Sequence, residues 1–304
     1  MNGYSGLSSE EIALLPTDED VRNWSERGWY LSGKLLTDEE ADAMTEASKR
    51  FYAGQEDRPL AMNPPRLDDW KPSHGEIQRK TDYIHYRDKT FAEILRKPII
   101  GAVAARLAQA SRISVFQTTM VYKPPVAEET SNIVSWHFDK YYWPTSTSEN
   151  MLTAFIPFHD CTEEFGTVTM VSGSHRWNSR HGTVRPPITE GDRRREYVLE
   201  EDAARNGVAV PEKAVINIPK GHMSFHHCLL YHGSGPNVSG VPRRAVTLHM
   251  QDETNGYRDW RQSDGLQQDY KHDYLVRRTP EGLPDYTDPE FFPQIWPVPG
   301  DSAS

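Results

Sequence analysis

The chain has 304 residues, 37% hydrophobic and 26% charged, with 44 Asp plus Glu against 34 Lys plus Arg and a formal charge of −10. That is enough apolar material for a substantial core, which excludes a mostly disordered polyelectrolyte, and the charge disfavours phosphate backbones and anionic lipid surfaces. No basic region followed by an apolar run opens the sequence, and no uncharged apolar stretch approaches the roughly 20 residues needed to cross a bilayer, so a cytoplasmic protein without membrane or nucleic-acid partners is expected. Cys161 and Cys228 are the only cysteines and lie in no CxxC pair. They read as small buried hydrophobes, not as a disulfide framework or a zinc site.

Residues 1–20 show no sustained period, and both this end and residues 299–304 are expected to fray. A helix is signalled over 38–52, where Thr37 caps with Glu40 at the reciprocal position and Ala41, Met44, Ala47 and Phe51 form an apolar stripe. Prolines and mixed polarity make 58–80 an excursion over the surface, and 54–80 a candidate lid. Phe91, Ile94 and Leu95 begin a second helix that Pro98 ends, and Pro98 can start a third with Ile99, Val103 and Leu107 inward. Short β-rich runs at 114–122, 131–138, 151–158, 167–171, 214–218, 223–231 and 244–250 then follow, separated by Pro, Gly, Ser and Asn. This pattern predicts a mainly β, antiparallel sandwich or barrel with flanking helices outside it. The segment 185–205, with Arg193-Arg194-Arg195 among acidic residues, reads as a solvated insertion or helix.

The sharpest chemical arrangement is Trp136-His137-Phe138-Asp139, because alternate residues of a strand point the same way and bring one imidazole and one carboxylate to a common ion. The segment 221–237 supplies further histidines, His222, His226, His227 and His232. Two imidazoles and one carboxylate form the facial triad that leaves open positions on non-haem iron(II). His226 and His227 are adjacent on a strand and cannot both enter one site.

Lys123-Pro124-Pro125, His137-Phe138-Asp139, Gly166-Thr167-Val168 through Gly173-Ser174-His175, and His232-Gly233-Ser234-Gly235-Pro236-Asn237 followed by Arg243-Arg244-Ala245 occur in that order. In this ordered set the sequence resembles the phytanoyl-CoA dioxygenase-like family of Fe(II)/2-oxoglutarate-dependent oxygenases, over roughly residues 112–250. The resemblance implies a double-stranded β-helix, the cupin-like jelly roll. It places the iron ligands at His137, Asp139 and His232, and the arginine that clamps the distal carboxylate of 2-oxoglutarate at Arg243, with Arg244 as the register neighbour. Ser234 matches a hydroxyl that helps hold that carboxylate, and Gln117 a strand residue near the cosubstrate. His175 is read as a structural or pocket hydrogen bonder. Asp139 argues against halogenation, since related iron halogenases carry a small residue there.

The resulting expectation is one oxygenase domain over 1–304, with helical support over about 20–110, the catalytic jelly roll over about 112–250 and a C-terminal extension or lid over 251–304. With Fe(II), 2-oxoglutarate and O2 it would oxidise a C–H bond of a small metabolite in natural-product or amino-acid-related metabolism, by hydroxylation, giving succinate and CO2. Desaturation, cyclisation or epimerisation, a cosubstrate-independent metal oxygenase and a noncatalytic jelly-roll binding protein are the alternatives. Trp143 is the candidate substrate-pocket residue, and a homo-oligomer is allowed.

Overall fold

The computed structural model describes residues 4–126, 132–178, 193–261, 265 and 267–300, the first six residues of the 193–261 stretch as backbone. The N-terminal third is largely helical: α1 (Ser9–Ile12), α2 (Asp18–Arg27), the short strand β1 (Trp29–Leu31), α3 (Asp38–Tyr52), β2 (Arg79–Asp82), α4 (Ile84–Arg87), α5 (Lys89–Leu95) and α6 (Pro98–Ala108). The strands β3 (Ile113–Lys123), β4 (Val134–His137), β5 (Leu152–Pro157) and β6 (Val168–Val171) follow, then α7 (Arg193–Arg205). The chain continues through β7 (Lys213–Val215), β8 (Ser224–His227), β9 (His232–Ser234), β10 (Arg243–Asp252) and β11 (Gln294–Trp296).

Among the described residues the strands form two antiparallel sheets. The larger has the order β1-β8-β5-β10-β3-β11, with β2 also paired to β3, and the smaller the order β4-β9-β6-β7. This is the jelly roll anticipated from the sequence. Strand alternation divides the larger sheet cleanly: Leu152, Ala154, Ile156, Val246, Leu248 and Met250 face the helices, in one buried cluster with Phe91, Ile99, Val103 and Leu107. The residues between them face the smaller sheet. In register across four strands, His226 lies opposite Thr153, Thr153 opposite His249, and His249 opposite Gln117. A row of four polar side chains therefore crosses the inner face, at the level where β10 changes register after His249.

The helix over 38–52 forms as read, with Thr37 and Glu40 in a capping box, and Pro98 opens α6 at its first turn. Four expectations change. Residues 9–20 do not fray: Ser8 with Glu11 and Thr17 with Asp20 each complete a capping box that starts a helix. The run 223–231 is not one strand, because the chain turns at Cys228–Leu230, where Leu230 N–H bonds back to His227 O, before β9 begins. Part of the 58–80 excursion pairs into the sheet, as β2 against β3. Finally, the helix read within 185–205 is present as α7, but its second half packs against the core, since Leu199, Asp202 and Ala203 are buried and the Tyr231 hydroxyl donates to Asp202; residues 185–192 of that segment lie outside the described residues. Both cysteines are buried free thiols, and no described helix is long and apolar enough to cross a membrane.

Candidate metal centre and cosubstrate pocket

His137 ends β4 and His232 begins β9, directly opposite each other in the smaller sheet, and Asp139 follows in a single turn of 3-10 helix. Their ligand atoms all lie within 4.8 Å of one another. Asp139 Oδ1 is 3.8 Å from His137 Nε2 and 3.6 Å from His232 Nε2. Each ring is oriented by its own backbone: His137 Nδ1 bonds to Ser135 O at 2.8 Å and His232 Nδ1 to Leu230 O at 2.9 Å. A carbonyl can only accept, so both Nδ1 atoms carry the proton and both Nε2 lone pairs face the gap beside Asp139. Burial pushes His137 down to about 4 and His232 well below the ordinary histidine value, which keeps both rings in the neutral, ligating form. Burial would raise the Asp139 carboxyl, but the imidazoles around it, with a hydrogen bond from His226, outweigh it and hold it well below the usual carboxylate range.

The polar row on the facing sheet closes over the other carboxylate oxygen. Thr153 Oγ1 donates to Asp139 Oδ2 at 2.6 Å, His226 Nε2 lies at 3.2 Å and His249 Nδ1 at 3.6 Å. These three were not singled out by sequence as partners of Asp139. The available signal was strand alternation in β5, β8 and β10, but it identifies partners only once the register across strands is known. His227, next in sequence, turns outward and takes the Leu229 N–H on its Nδ1, while His175 bonds to Ser25 O, the structural role expected of it.

A cavity of about 890 Å³ opens over the three ligands, and its lining includes Gln117, Trp143, Ser234 and Arg243. All four sequence candidates beyond the metal ligands therefore reach the same space. Arg243 is buried, donates from Nη1 to the Gly166 carbonyl, and has no hydrogen-bond partner on Nε and no carboxylate partner among the described residues. Arg244 points the other way, to Ser48 Oγ at 3.1 Å and over the Tyr122 ring. Gln117 accepts from the Tyr270 hydroxyl at 2.5 Å, and Trp143 stands edge to face with His249, ring centroids 4.9 Å apart. Both flanks reach the cavity: Arg66, Gln78 and Lys80 from one side, Arg258, Trp260, Tyr270 and Lys271 from the other. Farther along the C-terminal part, Phe291, Phe292 and Trp296 pack into the core instead.

The residues fit an iron(II) site with a dicarboxylate cosubstrate. The donor set is two neutral imidazoles and one carboxylate, and a buried guanidinium with an unpartnered Nε offers a planar fork to a carboxylate. The profile of the phytanoyl-CoA dioxygenase (PhyH) family matches residues 24–245. The chain belongs to the phytanoyl-CoA dioxygenase family. Among curated relatives, the peroxisomal phytanoyl-CoA dioxygenase of Bos taurus is 23% identical over 253 residues, 79% of this chain and 70% of that one. Among solved structures, the non-haem α-ketoglutarate-dependent carbocyclase SnoK from nogalamycin biosynthesis superposes with a TM-score of 0.64 at 21% identity, covering 96% of this chain and 98% of that one. EctD from S. alaskensis, solved with 2-oxoglutarate and 5-hydroxyectoine, gives 0.67 at 19% identity, covering 93% and 91%. As a member of the phytanoyl-CoA dioxygenase family the protein is an Fe(II)/2-oxoglutarate-dependent oxygenase.

Proposed function

We propose that the protein hydroxylates an unactivated C–H bond of a small metabolite in natural-product or amino-acid-related metabolism, with His137, Asp139 and His232 holding Fe(II) and Arg243 holding the distal carboxylate of 2-oxoglutarate. The observation that carries this reading is that the three ligand atoms and the unpaired Arg243 line one cavity of about 890 Å³, within the size range of small-molecule sites. Bound iron and cosubstrate supply the oxidative chemistry, in which 2-oxoglutarate and O2 give succinate, CO2 and an oxidised substrate.

The protein's part is orientation and exclusion. Ser135 O and Leu230 O fix the two imidazoles, and Thr153 fixes the carboxylate, so that one oxygen of Asp139 faces the metal position. Arg243 and Ser234 at the inner end anchor the cosubstrate. Trp143, Tyr141, Tyr142 and Trp260 form an aromatic wall against which the substrate packs, holding its C–H bond toward the metal and away from water. The test is a metabolite screen by mass spectrometry, in which the complete reaction forms a product 16 mass units heavier together with stoichiometric succinate, and the Asp139→Ala protein forms neither. Product formation that persists when 2-oxoglutarate is rigorously omitted would overturn the proposal. A product two mass units lighter than its substrate would instead assign desaturation or ring closure.

A further inference from the structure

Lys123 closes β3 as the partner of Arg243 in the antiparallel register with β10. Residues directly opposite in such a pair share a face, and like charges in that position repel. Both side chains are buried, Lys123 completely and Arg243 at 2% exposure, and neither has a carboxylate partner among the described residues. Each instead caps a backbone carbonyl, Arg243 that of Gly166 and Lys123 that of Gly235, the latter at 2.6 Å. Lys123 Nζ also lies 2.7 Å from Ser234 Oγ, and Asn237 Nδ2 holds the Lys123 carbonyl at 3.0 Å. A guanidinium and an amine buried side by side, with no carboxylate partner among the described residues, are costly to charge, and the arrangement calls for a negative charge brought by a ligand.

Charged or neutral, Nζ has protons enough to donate to both Gly235 O and Ser234 Oγ, so the Ser234 hydroxyl proton must point elsewhere. Ser234 lines the cavity, as does Arg243. We propose that Lys123 is a positioning residue for the cosubstrate: by donating to Ser234 Oγ it turns the Ser234 hydroxyl into the cavity, as a donor to the same carboxylate that Arg243 clamps. The inference rests on the 2-oxoglutarate reading above. Burial, then the charge of Arg243, pushes the Lys123 amine down to about 6, so a carboxylate entering beside it also secures its proton.

The test measures binding of 2-oxoglutarate and of pyruvate, which lacks the distal carboxylate, to anaerobic Fe(II)-loaded protein by calorimetry and charge-transfer absorbance. Wild type, Lys123→Met, Lys123→Gln, Ser234→Ala and Lys123→Met/Ser234→Ala are compared. Lys123→Met and Ser234→Ala should each weaken 2-oxoglutarate about 10- to 100-fold, the loss expected for a hydrogen bond to a charged group. Pyruvate affinity should stay unchanged, the double variant should be no worse than Lys123→Met, and Lys123→Gln, which keeps a donor, should recover part of the loss. Additive losses, equal weakening of pyruvate, or an unchanged 2-oxoglutarate affinity would each overturn the assignment. If the Lys123 variants do not fold, Ser234→Ala decides alone, since an unchanged 2-oxoglutarate affinity there removes the donor that Lys123 is proposed to aim. Wild type that binds no 2-oxoglutarate would defeat the underlying reading, whereas wild-type binding with indifferent variants would defeat only the role of Lys123.

Discussion

The hydroxyl of Thr153 donates to Oδ2 of Asp139 at 2.6 Å, across the gap between the two sheets. The bond leaves Oδ1 to face the two imidazole Nε2 atoms, as the oxygen that would meet a metal ion held there. Thr153→Val keeps the shape and removes the donor. Partners that orient metal ligands typically contribute about 10- to 100-fold in metal affinity. Fe(II) affinity measured anaerobically by chelator competition should fall within that range while the unfolding midpoint moves little, and unchanged affinity would assign the orienting role to His226 alone.

Arg243 is predicted to act on the cosubstrate and not on the metal. Arg243→Leu should weaken 2-oxoglutarate on the order of 100-fold, as for the loss of one partner of a buried charge pair. Arg243→Lys should fall between, because it keeps the charge and loses the planar fork. Both follow from titrating the charge-transfer band of the anaerobic Fe(II) protein, and Fe(II) affinity should be unaltered in each. A parallel loss of iron would contradict the separation of roles.

Gly166 occupies the left-handed region, φ +63°, and a Cβ there would stand 2.3 Å from the Gly235 carbonyl oxygen and 2.5 Å from that of Pro236. Neither neighbour is a side chain that can swing aside. Gly166→Ala should cost at least about 1–2 kcal/mol from backbone conformation alone, with the contact added, and should disturb the carbonyl that Arg243 caps. Stability in urea and 2-oxoglutarate affinity should therefore drop together; a loss of one without the other would separate the turn from the pocket.

His272 is fully buried among Phe116, Tyr270, Tyr286 and Phe292, with no hydrogen-bond partner on either ring nitrogen among the described residues. Burial, with a smaller contribution from Lys271, pushes it down to about 3 from an ordinary value of 6.5. Between those values the unfolded chain binds a proton that the folded protein refuses, so stability rises with pH through this window and is lost as pH falls. His272→Phe removes the dependence. Its stability relative to wild type should be greater at pH 5 than at pH 8, by about 2 kcal/mol, in urea unfolding at the two pH values; an equal difference at both would mean that folding leaves the proton affinity of His272 unchanged.

The sequence made the metal chemistry legible because His137 and Asp139 are two residues apart and His232 opens the distinctive Gly-Ser-Gly-Pro-Asn run. Thr37 and Glu40 gave α3 for a similarly local reason, and the same device at Ser8 and Thr17 went unread because the helices it starts are short or weakly periodic. The turn at Cys228–Leu230 was hidden inside an apolar run without Gly or Pro, where periodicity does not separate a strand from a bend. Thr153, His226 and His249 were invisible as a group, since they meet only through the pairing of β8, β5 and β10. Lys123 was a nearer miss. It shares strand parity with Gln117, two and four residues past Val121 and Thr119, but its partner Arg243 follows only from the register of β3 with β10.

The cavity wall formed by Arg258, Trp260, Tyr270 and Lys271 lies beyond residue 245, where the match to the family profile ends, whereas the metal ligands and Arg243 lie inside it. The groups proposed for the metal and the cosubstrate thus sit inside the family match, while one part of the cavity wall is supplied by the chain behind it. A chimaera that keeps residues through β10 and receives the corresponding tail of another member should therefore keep the groups proposed for iron and 2-oxoglutarate while exchanging only the wall that Arg258, Trp260, Tyr270 and Lys271 build.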